Sequence, residues 1–395
     1  MKNEYTTGID IGTHSIKIII AEEKAQNSQP RILYATESPS HGFRNGYIID
    51  IDAASNSLAV ALKKIETNAK IQVEQARFSI SGIGLSSQYV RTSIDISKRD
   101  DEITDSHIAE VIQKSEQLFL QKYPNKKIIH IIPIKYLVDG RDVLGNPVGM
   151  YGGHLEVKIV FITILEHHYD SFASLAERNS IIIQDLIASP LADAEISASY
   201  KQKSQGCVIV NIGSETSSIT TFENGLTTSL KVIPIGSNDI TNDIALGMQT
   251  SLEIAEAVKL LKNKDYPKNK TTEIIHARLS DILETTEHHL ISLRKNRLLP
   301  AGIIFSGGGS NIEFIEEYAK KGITFLVLVP PSKHTIYPEY MPEKIPVLGS
   351  ESRLDQLINY LSINGNTQLM DLRPILRKSK EEGQIYYKTD THWNE

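Results

Sequence analysis

Asp10-Ile-Gly-Thr13 and Asn211-Ile-Gly-Ser-Glu-Thr216 stand roughly two hundred residues apart, each following an apolar run and leading into another. Ile16-Lys-Ile-Ile-Ile20 follows the first, and Cys207-Val-Ile-Val210 precedes the second. Runs this rich in β-branched residues read as strands, and a glycine between two of them reads as the tip of a β-hairpin. Glycine lets backbone amides approach an anion closely, and a threonine adds a hydroxyl donor. One such turn carries little information. Two copies at this spacing predict a duplicated domain whose halves close on a phosphate-bearing ligand from both sides.

The composition is compatible with that architecture. A chain of 395 residues has room for two or more domains with substantial cores, and 40% hydrophobic with 23% charged residues is ordinary for a globular protein. A net charge of −6 gives no footprint for nucleic acid. The one cysteine, Cys207, excludes an internal disulfide and suits a reducing cytoplasm; at the head of a strand it is expected to be a small buried hydrophobe. No signal peptide and no apolar run near eighteen residues is visible, so a cytoplasmic location is expected, with peripheral attachment to a membrane left open.

Further along, Asp52–Ala69 carries Leu58, Ala61, Leu62 and Ile65 at helical spacing, and Phe78–Ser81 reads as a strand ending at Gly82. Between 84 and 165 the pattern changes to a strand (Gln88–Ile94), a helix opening at Thr104, a long strand (Ile128–Val138), an Asp139-Gly140 turn and a strand (Leu155–Ile164). This predicts a compact α+β insertion within the first half. A helix over His167–Asn179, a short strand Ile181–Ile183 and a small-residue helix Leu191–Ser199 close that half. The second half repeats the opening: the turn at Gly213, then two strands flanking Glu223-Asn224-Gly225, a hairpin signal. Helices are expected over Ile240–Met248, Leu252–Lys262 and Thr272–Lys295, with a solvated loop over Lys262–Lys270. A strand, Gly302–Phe305, then enters Ser306-Gly-Gly-Gly-Ser310.

Ile233-Pro-Ile-Gly-Ser-Asn-Asp-Ile-Thr-Asn-Asp-Ile-Ala-Leu-Gly-Met-Gln-Thr250, followed by Ala255-Glu-Ala-Val-Lys259, closely resembles the FtsA cell-division proteins. So do His130-Ile-Ile-Pro-Ile-Lys-Tyr-Leu-Val-Asp-Gly140, Asn146-Pro-Val-Gly-Met150 and His154-Leu-Glu-Val157. The resemblance covers residues 6 to about 312. It implies an α/β, actin-like fold (Hsp70/actin type, with duplicated ribonuclease H-like lobes) and an inserted α+β subdomain of SHS2 type. The implied organisation is a first lobe from 1–83 with 166–200, the insertion at 84–165, and a second lobe at 201–312 with helices at about 240–300. It further implies ATP and Mg²⁺ as ligands, self-association into filaments, and tethering of the tubulin-like FtsZ ring, through its C-terminal peptide, to the inner face of the membrane.

Carried over by position, Asp10, Gly12 and Thr13 match the first phosphate turn, and Gly213, Ser214 and Thr216 fall in the second, with Gly236 in the string that follows. Gly307, Gly308 and Gly309 match the loop that packs bare backbone against the base, although an isolated triple glycine would read as a flexible turn. Glu256 and Lys259 share a helix face, either as a surface ion pair or bracketing a ribose by charge-assisted hydrogen bonds. Two departures bear on mechanism. Ser189 and Asn211 stand where the family usually has acidic residues, leaving Asp10 alone to hold the waters of Mg²⁺. Glu215, beside Ser214 where glycines are usual, either substitutes for the lost charge or repels phosphate. Nucleotide binding with slow or absent hydrolysis is therefore expected. The Gly-Ser-Glu-Thr version of the turn is similar to that of the pilus-assembly protein PilM, the alternative reading, in which the fold is a platform for a membrane-protein peptide. A sugar-kinase reading is weaker still, since nothing here forms a sugar site with a catalytic aspartate. His167-His168 and His288-His289 are adjacent helical pairs that diverge by about 100° and cannot readily share an ion.

After about residue 313 the character changes. Gly322–Pro342 and Ile385-Tyr-Tyr-Lys-Thr-Asp-Thr-His-Trp-Asn394 resemble the alginate O-acetyltransferases of AlgJ type, in which Asp390 and His392 would activate a serine later in the chain. The sequence ends at Glu395 before such a serine, so acyl transfer is not expected. Phe325–Val329 and Ser352–Leu361 read as a strand and a helix able to complete the second lobe. No membrane-anchoring helix is evident, since Pro374 interrupts the amphipathic stretch Leu369–Lys378.

Overall fold

This computed structural model describes residues 5–22, 30–96, 102–260 and 267–312, and within 313–395 the positions 315, 326–328, 355, 368–370, 373 and 377. The chain divides into two compact units, Met1–Ile312 and Glu313–Glu395.

The first unit opens with β1 (Tyr5–Ile11), β2 (Ser15–Glu22) and β3 (Arg31–Pro39) as an antiparallel meander, then a two-stranded ribbon of β4 (Phe43–Arg44) and β5 (Tyr47–Ile48). Helix α1 (Ile51–Ala69) starts at Asp50, whose carboxylate accepts from the Asp52 and Ala53 amides, and stops at left-handed Lys70. It buries Ala54, Leu58, Ala61 and Ile65, one stripe at 3.6-residue spacing, against the first sheet. Strand β6 (Gln75–Ile80) then pairs parallel with β1.

The inserted segment runs through β7 (Ser86–Asp95), α2 (Asp105–Lys122), β8 (Lys126–Val138), β9 (Arg141–Val143) and β10 (His154–Leu165). Pro133 lies in β8 beside a register shift against β10, where a missing N–H is tolerated. The sequence reads this segment as a body within the first half. Val160, Ile162 and Ile164 of β10 pack in the core of the first lobe, and the segment also joins the second sheet through the Lys231–Ser86 pairing and a hydrogen bond from the Leu230 amide to Ser87 Oγ at 2.9 Å.

Helix α3 (Glu166–Arg178) and β11 (Ile182–Ala188) return to the first lobe, and α4 (Ser189–Ser197) and α5 (Tyr200–Gln205) lead out of it. The second meander is β12 (Cys207–Ile212), β13 (Ser217–Glu223) and β14 (Leu226–Ile233), with Asn224 and Gly225 both at positive φ in the tight turn. Helices α6 (Ser237–Met248), α7 (Leu252–Lys259) and α8 (Lys268–Ser292) follow, then β15 (Ile303–Ser306), parallel to β12, and a 3₁₀ turn at Gly308–Asn311. Cys207 is fully buried, as expected of a small core residue.

Sheet order exposes the duplication. The first sheet runs β11-β6-β1-β2-β3 and the second β15-β12-β13-β14-β7-β10-β8-β9. Each has a three-strand meander whose first strand also pairs parallel with a later one. The β1–β2 and β12–β13 turns are thus equivalent points of two copies. In the second unit, β16 (Leu326–Leu328) pairs parallel with β17 (Gln368–Met370), and Arg373 pairs with Asp355 at 2.6 Å. The strand read at Phe325–Val329 is present in its described part, while most of Ser352–Leu361, and Asp390 and His392, lie outside the described residues.

Candidate functional site

The two turns are geometric copies. The Gly12 amide donates to the Ser15 carbonyl at 3.0 Å, and the Gly213 amide to the Thr216 carbonyl at 2.9 Å. A Cβ at Gly12 would sit 3.0 Å from the Ser15 oxygen, and one at Gly213 would sit 2.8 Å from that of Thr216. A side chain would force the Gly213 turn to shift, and the Gly12 turn would have to give slightly. Among the described residues the amides of Thr13, His14, Ser214 and Glu215 have no backbone acceptor, so they are available to an anion. Helix α6 supports the second turn from behind, with Ser237 donating to the Gly213 carbonyl at 2.8 Å and Asn238 to that of Ser214 at 2.7 Å.

Both turns face one cleft of about 1200 Å³. Asp10, Gly12, Thr13, Ser189, Asn211, Gly213, Ser214, Thr216, Glu256, Lys259, Gly307, Gly308 and Gly309 all line it. Gly236 lies behind the second turn rather than on the cleft wall: a Cβ there would fall 2.4 Å from the Ser214 oxygen. Asp10, at the end of β1, accepts from Ser79 Oγ on β6. Ser189 opens α4 directly after Ala188, whose amide donates to Nε2 of His130 in the inserted segment at 2.9 Å. That bond requires Nε2 to be unprotonated, and burial lowers the His130 pKa despite the opposing charge of Asp185.

Glu256 and Lys259 form an i,i+3 ion pair, 2.7 Å long, on α7, and it is not a surface pair because the lysine is buried. The Lys259 ammonium is nearly fully buried and also reaches Thr241 Oγ1 at 2.9 Å and the Ser237 carbonyl at 3.2 Å. A lysine has three N–H donors, and these contacts engage all of them. Lys259 therefore positions Glu256, which also accepts from Thr241 at 2.6 Å and presents the exposed end of the pair to the cleft. Burial tends to raise the Glu256 pKa. Hydrogen bonds from Lys259 and Thr241, with the charges of Lys259 and His14, outweigh burial and hold it below its ordinary value.

Sequence reasoning missed the ribbon of β4 and β5. The Asn45 amide, at its tip, donates to Glu215 Oε2 across the cleft at 2.6 Å. The Glu215 carboxylate is thus engaged with the opposite lobe. The Asn45-Gly46 pair, at φ 50° and 80°, is a two-residue hairpin signature that could have revealed the ribbon. Of the histidine pairs, His168 stacks on Tyr47 and His289 Nε2 lies 2.9 Å from Ser229 Oγ. Among the described residues no group of three or more His, Cys, Asp or Glu side chains could hold a metal.

Duplicated meanders, paired glycine turns and an interlobe cleft define an actin-like protein carrying an inserted α+β subdomain. Its sequence is similar to the FtsA cell division proteins: residues 82–163 match the SHS2 domain inserted in FtsA, and 208–341 match the cell division protein FtsA. FtsA of Bacillus subtilis is 28% identical over 330 residues, 78% of this chain and 74% of that protein. FtsA of Streptococcus pneumoniae is 26% identical over 349 residues, 82% of this chain and 76% of that one. Among solved structures, a PilM-PilN type IV pilus biogenesis complex superposes with a TM-score of 0.59 at 15% identity, covering 81% of this chain and 87% of that one. Residues 312–395 match a different family, the SGNH hydrolase-like domain of acetyltransferase AlgX, so the two resemblances overlap between 312 and 341.

Proposed function

We propose that the cleft binds ATP with Mg²⁺ and that the protein is an actin-like cell-division adaptor. It would link the FtsZ ring, through its C-terminal peptide, to the inner face of the cell membrane and self-associate into filaments. The observation that carries the nucleotide reading is the pair of equivalent turns opposed across one cleft with free amides. The partner reading rests on the similarity to FtsA, which favours it over the PilM-like alternative. Binding the FtsZ C-terminal peptide but no pilus peptide in a pull-down is the expected result. No helix among the described residues is long and apolar enough to cross a membrane.

The residues fit the nucleotide. Turn amides would hold the phosphates, Glu256 the ribose, and Gly307–Gly309 the base, where added Cβ atoms at Gly307 and Gly309 would strike β12. Mg²⁺, when bound, would neutralise phosphate charge, and Asp10 would hold its waters. Mg-ATP at a hundredfold excess over Kd is expected to stabilise the fold by about 2.7 kcal/mol, read as a rise of a few degrees in Tm. An unchanged Tm at millimolar Mg-ATP refutes the nucleotide reading.

Hydrolysis is expected to be slow, because Ser189 and Asn211 carry no charge to orient water or complete the metal's shell. Asn211→Asp restores one carboxylate at the cleft end of β12. Phosphate release by this variant is expected to rise at least tenfold over wild type; equal release would show that the missing carboxylate is not what limits turnover.

A further inference from the structure

The cleft is rich in carboxylates: among the described residues Asp10, Glu37, Glu215, Asp239, Glu253 and Glu256 stand on its walls against three permanent cations, Lys17, Arg44 and Lys259. A polyphosphate entering such a cleft must be met by positive charge. Lys259 is committed to Glu256, Thr241 and the Ser237 carbonyl. Lys17 lies 4.0 Å from Glu37. Arg44 has neither an ion pair nor a hydrogen bond among the described residues, although guanidinium is the side chain best shaped to grip phosphate.

Its placement is fixed by the ribbon it sits on. Phe43 packs on the core of the first lobe, and strand alternation turns the next residue, Arg44, the other way. The following amide, Asn45, holds the Glu215 carboxylate of the second turn at 2.6 Å. Gly46 abuts Gly82 so closely that a Cβ would lie 2.5 Å from its Cα, and Tyr47 stacks on buried His168 at 4.3 Å between ring centroids. The ribbon of the first lobe thus sets Arg44 on the cleft wall, one residue from the amide that binds the Glu215 carboxylate of the second turn.

We propose that Arg44 is a specificity-determining residue that contacts the terminal phosphate of a nucleoside triphosphate, making the cleft selective for tri- over diphosphate. This rests on the nucleotide reading above. The test is calorimetric titration of the full-length wild type, Arg44→Ala and Arg44→Lys with Mg-AMP-PNP and with Mg-ADP. A charge-assisted phosphate contact predicts that Arg44→Ala weakens Mg-AMP-PNP binding about 30-fold while Mg-ADP binding changes less than about threefold. Arg44→Lys should recover part of the loss. Because Arg44 is exposed and unpartnered, the apo Tm of Arg44→Ala should stay within about 1 °C of wild type, so weakened binding cannot be ascribed to unfolding. Wild-type affinity for Mg-AMP-PNP in Arg44→Ala, or equal losses for both ligands, overturns the proposal and leaves the nucleotide reading standing. A wild type that binds neither ligand overturns both.

Discussion

Alanine at Gly307 is expected to cost about 3 kcal/mol and to erase any rise in Tm with Mg-ATP. Gly307 has φ 79° and ψ 172°, a region that is essentially closed to residues with a Cβ. The added methyl would also lie 2.6 Å from both Asn211 Oδ1 and the Ile212 carbonyl oxygen. The side chain could rotate away, but the carbonyl belongs to the last residue of β12 and is continuous with the Gly213 turn. Relief requires lifting the glycine loop or displacing that turn, and both line the cleft. The neighbouring position supplies the control. Gly308 has nothing within 4 Å of its would-be Cβ, so Gly308→Ala is expected to stay within about 0.5 kcal/mol of wild type. Equal denaturation midpoints for the two variants would refute the close approach of this loop to β12.

That contrast also marks what the sequence discloses. Local chemistry was legible: both glycine turns, the Asn224-Gly225 hairpin, the α1 stripe and the Thr104 helix start are written within a few residues each. Contacts joining distant segments were not. Asn45 and Glu215 are 170 positions apart, and nothing near either one announces the other. The inserted segment reads as a self-contained body because its strands and helix share a core. The Lys231–Ser86 pairing and the Leu230–Ser87 hydrogen bond that attach it to the second sheet leave no periodicity to read. Glu256 and Lys259 allowed two readings, and Thr241, contributed by another helix, decides how the lysine is used. The three glycines at 307–309 look alike in sequence. Their unequal surroundings appear only when β12 lies beneath them.

Acid should destabilise the protein through a residue behind the same ribbon. His168 is 1% exposed, stacked on Tyr47, and Gly82 is so close that a Cβ there would lie 2.9 Å from His168 Cε1. Burial, reinforced by the charge of neighbouring His167, lowers its pKa from the ordinary 6.5 to about 4. Above pH 6.5 neither the folded nor the unfolded chain carries this proton, and His168 adds no pH dependence. Below it the unfolded chain takes up the proton while the folded one does not, so stability falls with pH until about 4, where the folded state also protonates. That interval corresponds to about 3 kcal/mol lost by pH 4. His289, also lowered to about 4 by burial and by Lys231, contributes in the same direction, as do paired carboxylates at the acid end. Isolating the His168 share therefore needs a difference measurement. His168→Phe keeps an aromatic ring against Tyr47 and removes the titration. The stability of wild type minus that of the variant, followed from pH 7.5 to 4.5, should decline by about 2 kcal/mol as the medium becomes more acidic. The decline should begin near pH 6.5, not near the carboxylate range. Parallel curves for the two proteins would mean that His168 accepts its proton in the folded state as readily as in the unfolded one, and that the Tyr47 stack is open to water.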